Sequence, residues 1–572
     1  MRTTSRAALL CVCAGWGAAV AQVADLRERL DDSYLPAPAD QGQTPAFSPR
    51  GGPFTRQVNV NAAGMNVTGD AANEPSIASD PRAPNRIVIG YRQFDTIASN
   101  FRQAGYAWSN DGGRTWTRGV VEPGVFRTDP VLRANADGAI YWNMLLTDQG
   151  GLWRCDVYRS DDGGRTWGSP AFALGGDKAW IAVDRTNGPG RGFIHQIWNT
   201  AGNQYFPNQY NRSIDGNTTW TPPQELPRRV VFGTNYVGPS GELYVIGQAG
   251  GVFGLKSLNA NGPGPVAFSV MNANTAIFTG PSGTGQPPNP AGLLGQHQVV
   301  VDSSGGARHG WIYALSTVQG TAGDASDVAF RRSRDGGATW DPIVRFNAGI
   351  VHPQSYQWFG TISVSPNGRL DVVYNDTSST LAANTSRLMY VTSADGGATW
   401  SAPEAMGPVW NSHLGWPNQQ KIGDYYDMES DLLGANVAYA ATYNGEQDAY
   451  FLRIGPHDCD ADGISDEDEV AAGAADCDQD GIPDACEIAA GSATDSDGDG
   501  VIDACEAPCD SIDFNGDGLF PDNLDLFDYL SVFGGGPCST GACGDIDFNN
   551  DGLFPDNADI TALFRVFGGG GC

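Results

Sequence analysis

Three stretches near the carboxyl end space their acids as a hard divalent cation requires. Asp458, Asp460, Asp462, Gly463, Asp466 and Glu469 fall at places 1, 3, 5, 6, 9 and 12 of a loop. Asp476, Asp478, Asp480, Gly481, Asp484 and Glu487 repeat the pattern, as do Asp495, Asp497, Asp499, Gly500, Asp503 and Glu506. Alternate carboxylates wrap a cation that takes about 6–8 oxygens, the glycine permits the sharp turn, and the last Glu binds through both oxygens. Two related units follow, 34 residues apart: Asp513, Asn515, Asp517 and Asp525, then Asp547, Asn549, Asp551 and Asp559. In both, a Phe-Pro insertion moves the last acid to place 13. Either Asp522 and Asp556 or Asp525 and Asp559 close these cages. The ion expected throughout is Ca2+. The competing reading is a disordered acidic linker.

A second set of acids lies in the long body. Glu74, Asp129, Asp177 and Asp424 stand just before short runs of strand-forming residues, with Lys178, His297, Gln357 and Tyr425 in similar places. Two carboxylates at a suitable separation act as acid and as nucleophile or base on a glycosidic bond. Tyr425 or Tyr426 near Glu429 is a candidate nucleophile. The plainer role for these groups is to hydrogen-bond strand ends and water. Any joint chemistry needs an architecture that brings separate strands together.

Repeats supply that architecture. Residues 56–454 alternate runs rich in Val, Ile, Tyr and Trp with clusters of Gly, Asn, Asp and Pro, and no long 3.6-residue period interrupts them, which predicts an all-β fold. One octapeptide occurs five times: Ser109–Trp116, Ser160–Trp167, Ser213–Trp220, Ser333–Trp340 and Ser393–Trp400. The serines step by 51, 53, 120 and 60 residues, so the long step holds two units, with Ser257–Gly262 as the eroded turn. The Asp can fold onto its own turn, the Gly residues take positive φ, and the Trp packs against a neighbouring sheet. One hairpin signature per 45–60 residues predicts a β-propeller of four-stranded blades. The openings before the strands number seven, or six if the last segment only closes the ring. Polar residues at those openings then converge on the channel.

These S-x-D-x-G-x-x-W boxes resemble the Asp-box (BNR) repeats of sialidases and span most of residues 70–454. The resemblance implies boxes at the blade periphery with a structural role. In sialidases it also implies three arginines for a carboxylate sugar, a Tyr assisted by a Glu, and an Asp acid/base. The Phe/Tyr-Arg-Ile-Pro stretch that carries the first of those arginines has no counterpart; Arg56 and Arg86 are the nearest substitutes. Trp108, Trp153, Trp180, Trp198, Trp358 and Trp416 lie outside the boxes, and an exposed indole face stacks on sugar rings.

The acidic loops at 455–508 resemble thrombospondin type 3 repeats, which implies little helix around them. Residues 509–572 resemble a dockerin: each unit is followed by an amphipathic helix, with Leu526, Tyr529, Leu530 and Phe533 echoed by Ile560, Leu563, Phe564 and Phe567. That resemblance implies a cohesin-like or cell-surface partner. Eight cysteines lie after residue 455, and Cys155 stands alone in the body. Equal spacing suggests Cys509–Cys538 and Cys543–Cys572, with Cys459–Cys477 and Cys486–Cys505 linking adjacent loops, among many formal connectivities.

Arg2 and Arg6 precede an apolar run to Val20, and Ala19-x-Ala21 offers a cleavage site, so residues 1–21 read as an export signal and 22–55 as a linker. The run is shorter than the roughly 20 residues a transmembrane helix needs, and no later stretch qualifies. From Gly455 onward 28 acids face one basic residue, Arg565, which accounts for most of the chain's net charge of −31. Nucleic acid is excluded as a partner by that charge. The sequence points to a secreted or cell-surface protein that acts on or recognises extracellular glycans or glycoproteins. It is either a sialidase-like exo-glycosidase or a non-catalytic adhesion or scaffold propeller tethered by its tail.

Overall fold

The computed structural model describes residues 32–49, 53–147, 152–199, 204–281, 283–321, 323–347, 351–495, 500–505, 509–519, 522–549 and 556–568. The expected export signal and the loop residues Asp497, Asp499, Glu506 and Asp551 fall outside them. The chain divides into a body, up to His457 together with Ala461–Gly463, and a tail, Asp458–Asp460 with Ile464 onward.

The body is a seven-bladed antiparallel β-propeller. Its sheets follow one another along the chain, the first innermost strands being Ala71–Asp80, Thr128–Ala134, Trp180–Val183 and Asn235–Val237. Gln298–Val301, Gln357–Val364 and Asp427–Ser430 complete the inner ring. Second strands such as Ile140–Thr147 and Ala435–Ala441 are buried along nearly their whole length. Adjacent blades cover both of their faces, so they read as continuous apolar runs rather than alternating ones.

The ring is closed by a strand from the other end of the chain. Phe54–Gln57 pairs with Asp448–Ile454 as the outermost strand of the seventh blade. Part of the segment expected to be linker is therefore blade. This closure also explains the box count. A box joins the third strand of a blade to the fourth, which in the third blade is reduced to a bridge between Tyr210 and Gln224, and in the seventh blade those strands are not consecutive in sequence. Six turns serve the other six blades, the eroded one at Ser257–Gly262 included, where Ser257 still bonds Asn259.

The five full boxes are built alike. In the first, Asp111 Oδ1 accepts from Thr115 N at 2.9 Å, Asp111 Oδ2 accepts from Thr115 Oγ1 at 2.5 Å, and Ser109 Oγ accepts from Gly113 N at 2.9 Å. Trp116 packs 5.4 Å from Phe451 of the seventh blade, and Trp400 of the sixth lies 5.0 Å from Phe330 of the fifth. Gly113, at φ 86°, sits against the Phe451 ring, where a Cβ would lie 2.3 Å from a ring carbon.

Among the described residues the tail has four short helices, α1 (Asp466–Ala472), α2 (Asp484–Ala490), α3 (Asn523–Phe533) and α4 (Asn557–Phe567). The last two are the expected amphipathic helices. The first two are additional: each starts at the ninth-place Asp, and acids in a first helical turn complement the helix dipole. The two later units pair reciprocally, Asp510 N donating to Phe548 O and Gly544 N to Phe514 O, each link the other's image after a 34-residue shift. Between them Phe514, Tyr529, Phe548 and Leu563 form a small core.

Among the described residues three disulfides are seen, Cys459–Cys486, Cys477–Cys505 and Cys538–Cys543. They overturn the pairing by equal spacing. The cysteine at place 2 of one loop meets that at place 11 of the next, where Cys459 and Cys486 enclose Ile482. Cys538 closes on Cys543 across a five-residue step, so neither belongs to a long bracket around one unit. Cys155 is a buried free thiol.

Candidate functional site

Every inner strand enters the ring through a residue in the left-handed region: Glu74, Asp129, Lys178, Phe232, Gly295, Phe359 and Gly423. Five of the seven are not glycine, a local strain that the closed ring must hold. At Gly423 the reason for glycine is direct, since a Cβ would lie 2.7 Å from Glu74 Cγ in the next blade.

These entries bring together the acids singled out in the sequence. Lys178 Nζ donates to Asp424 Oδ2 at 2.5 Å, and Lys421 Nζ reaches the same oxygen at 2.8 Å and Glu74 Oε1 at 3.3 Å. Arg92 lies 3.3 Å from Glu74, Asp129 Oδ2 accepts from Lys178 N, and Asp177 Oδ2 accepts from Asn199. With Arg102 the cluster sets four carboxylates against four cations, and none of the eight is more than 5% exposed. Burial would raise the Asp424 carboxyl, but Lys178 and Lys421 hold it well below the usual range. Burial prevails at Glu74, pushed up to about 7 against Arg92 and Lys421. Tyr425 is also buried; its hydroxyl donates to Pro130 O, and burial lifts its pKa well above the phenol range. Glu74, Asp129, Asp177, Asp424 and Tyr425 thus share one buried, charge-balanced end of the channel.

Glu429 lies elsewhere. Further along the inner strands is an open cavity of about 670 Å³. Four residues beyond six of the seven strained entries, all but Glu74, a residue lines it: Arg133, Ala182, Tyr236, Val299, Ser363 and Asp427. At strand rise this is roughly 13 Å from the buried cluster. Arg133 bonds Asp427 at 2.7 Å across the channel, and Ser76 Oγ donates to the same carboxylate at 2.5 Å, which ties blades seven, one and two. Arg185 bonds Glu429 at 3.0 Å, and Glu429 accepts from Ser79 N. The Arg133 guanidinium also lies 5.2 Å from the Trp180 ring centre. Burial would lower the Arg133 pKa, but Asp427 raises it. Burial raises the Tyr236 phenol, while Arg185 and Arg133 pull the other way.

The residue-type reading missed Arg133, Arg185, Tyr236 and Asp427. The signal was present: counting four from each entry residue finds three of them, and one of these, Asp427, stands two residues before Glu429 on one strand. Of the tryptophans outside the boxes, Trp180 lines the cavity though only 2% exposed. Trp153, Trp198 and Trp358 are core, Trp108 lies under Arg165, and Trp416 packs on His413.

In the tail the loop acids gather as spaced. Oxygens of Asp458, Asp460 and Asp462 lie within 4.8 Å of one another, as do those of Asp476, Asp478 and Asp480. The second loop tests whether a cation fits. Asp484 Oδ2 and Glu487 Oε2 are buried without a hydrogen-bond partner. Burial, and then the charges of Asp480, Asp478, Asp484 and Asp476, push Glu487 up to about 7. A site that crowds five carboxylates and leaves buried oxygens unsatisfied suits a divalent ion bound by hard oxygens. In the third loop Asp495 accepts from Gly500 N, and Asp503 from Thr494. In the later units Asp525 and Asp559 are fully buried and accept from Asn515 N and Asn549 N, while Asp522 and Asp556 cap α3 and α4. Asp513 Oδ1 accepts from Asp517 N, as does Asn515 Oδ1. Asp547 is in the equivalent place of the last unit.

The family model described as bacterial TSP3 repeat matches residues 458–473. No curated protein matches the sequence. Among solved structures, the chain is similar to a protein of unknown function from Dyadobacter fermentans, at 15% identity and TM-score 0.39, covering 70% of this chain and 99% of that one. It is similar to the GH93 α-L-arabinofuranosidase of Fusarium graminearum, at 12% identity and TM-score 0.38, covering 72% and 98%. It is also similar to the NanB sialidase of Streptococcus pneumoniae, at 11% identity and TM-score 0.36, covering 67% and 94%. Among the described residues no helix is long and apolar enough to cross a membrane.

Proposed function

We propose that this is an exported glycan-recognising propeller, its ligand held in the channel cavity and its tail folded around Ca2+. The observation that carries the reading is the division of the channel. One end is filled by ion pairs that exclude a ligand, and the other opens as a cavity of about 670 Å³ with charged, amide and hydroxyl groups around Tyr236. Its size is that of sites that enclose most of a small ligand. The octapeptide turns act as Asp-boxes, structural pins at the blade periphery. In the tail, Asp476, Asp478, Asp480 and Glu487, with Asp484 beside them, would hold the ion, which would supply charge neutralisation and fix the loop. The first and third loops and the two dockerin-like units would repeat this arrangement.

Hydrolysis is a second reading, favoured by Asp427 and Glu429. They stand two residues apart on one strand, roughly 7 Å by strand rise, near the separation of inverting carboxylate pairs. A glycan array probed with calcium-loaded full-length protein, followed by aryl glycosides including a sialoside, separates the two. The binding reading expects glycan capture that Tyr236→Ala abolishes, with no aryl release. Aryl release lost in Glu429→Gln would establish hydrolysis, and a protein showing neither capture nor aryl release would refute both.

A further inference from the structure

The cavity's charges are already spent on one another. Arg133 is engaged by Asp427 at 2.7 Å, and Arg185 by Glu429 at 3.0 Å. No other Lys, Arg, Asp or Glu is among the described residues lining the cavity. The two arginines therefore bring no net positive charge, and each is held by a carboxylate that would repel an acidic ligand. Bringing a sugar carboxylate against Arg185 means displacing Glu429 or placing two anions side by side, and like charges at close range cost affinity. The paired groups still accept and donate hydrogen bonds, and the remaining polar lining consists of amides, hydroxyls and the His309 ring.

The far end of the channel adds a second restriction. The eight-charge cluster across the strand entries leaves no passage: Lys178 and Asp424 from opposite sides of the ring meet at 2.5 Å, and both are buried. A chain cannot thread through; it enters from the open end and stops.

We infer that the cavity takes the uncharged terminus of a neutral oligosaccharide, and discriminates against sugars that carry a carboxylate. This rests on the glycan-recognition reading and narrows it. The arginines here serve to orient Asp427 and Glu429 as acceptors for sugar hydroxyls, with Tyr236 as the partly exposed ring that a sugar face can cover.

The test is calorimetric titration of calcium-loaded full-length protein with matched oligosaccharides: one ending in a neutral hexose, the same chain ending in a uronic acid or a sialic acid, and the neutral sequence placed internally. The wild type is expected to bind the neutral terminus at least tenfold more tightly than either acidic one or the internal sequence, with little dependence on salt. Glu429→Gln releases Arg185 from its carboxylate and is expected to raise the acidic-to-neutral affinity ratio at least tenfold, with the thermal transition of the body checking the fold. If Glu429→Gln is unstable, Arg185→Gln serves: it leaves Glu429 unpaired and is expected to lower acidic-sugar binding further. Tighter binding of the acidic chain by the wild type, or equal binding of the internal sequence, overturns this inference and leaves glycan recognition standing. Binding of none of the chains overturns the recognition reading itself.

Discussion

Aspartate does opposite work in the two halves of the chain. In the propeller turns it is saturated: Asp335 accepts from Thr339 N at 2.9 Å and from Thr339 Oγ1 at 2.5 Å, and these and neighbouring bonds outweigh its slight burial and lower its pKa to about 2. In the tail Asp476, Asp478 and Asp480 face one another, and Glu487 is raised to about 7 beside them. The body stabilises itself, because stacked blades bury long apolar strands and each Asp is satisfied within its own turn. The tail has small apolar clusters, three described disulfides and 28 acids from Gly455 on against one base. A segment with so little core needs cross-links and bound ions.

Chelation should separate the halves most sharply. With EDTA the tail is expected to expand and lose helix while the body stays folded. The two can be followed apart, because Trp416 is the last tryptophan in the chain and the tail has none. Tryptophan fluorescence melts should shift by less than about 3 °C on chelation, with ~1 kcal/mol in a body of this size moving Tm by no more than a few degrees, while scattering reports a larger radius. A body transition that collapses with the tail would show that the halves do not differ in this way.

The reverse effect is expected from Lys178→Met, which leaves Asp424 and Asp177 short of a buried counter-charge. Removing one partner of a buried pair costs about 3–5 kcal/mol, read as a lower denaturant midpoint of the tryptophan transition with the tail's calcium binding unchanged. Gly113→Ala should cost about 1–3 kcal/mol through overpacking and strain, since the new methyl meets Phe451 at a φ of 86°. Wild-type stability despite that methyl would mean the box turn gives way easily.

Stability should also depend on pH, with opposite sign for two buried acids. Asp424 has a native pKa held below its unfolded value, so the stability it contributes is complete above about pH 5 and drains as pH falls through 3.8. Glu74 is raised to about 7, so the native state keeps a proton that the unfolded chain releases from about pH 4.5 upward. Its contribution therefore declines between about pH 4.5 and 7. Melts by tryptophan fluorescence should pass through a maximum near pH 5 and decline less steeply above it in Glu74→Gln, where burial still raises Asp70 to about 7 and Asp177 to about 6.

What could be read beforehand follows the range of the interactions involved. The box is a local hydrogen-bond motif, so its five copies and their spacing reveal blades directly, and the missing seventh copy follows from a ring closed by Phe54–Gln57, a pairing between residues nearly four hundred positions apart. Convergence of Glu74, Asp129, Asp177 and Asp424 follows from strand entries alone. Their burial does not, because it depends on Arg92, Arg102 and Lys421, which stand at no strand entry, and on Lys178 reaching Asp424 from another blade. Arg133 and Asp427 escaped notice because neither stands at a strand entry, where attention to residue type was fixed. Cysteine spacing misled because the loops interleave: place 2 of one meets place 11 of the next.

The most direct measurement is a crystal structure of the calcium-loaded protein with its best array ligand. Density for a sugar terminus against Tyr236, between the Arg133–Asp427 and Arg185–Glu429 pairs, is the predicted result. A ligand seated among Glu74, Lys178, Lys421 and Asp424, with those ion pairs opened to admit it, would contradict the account.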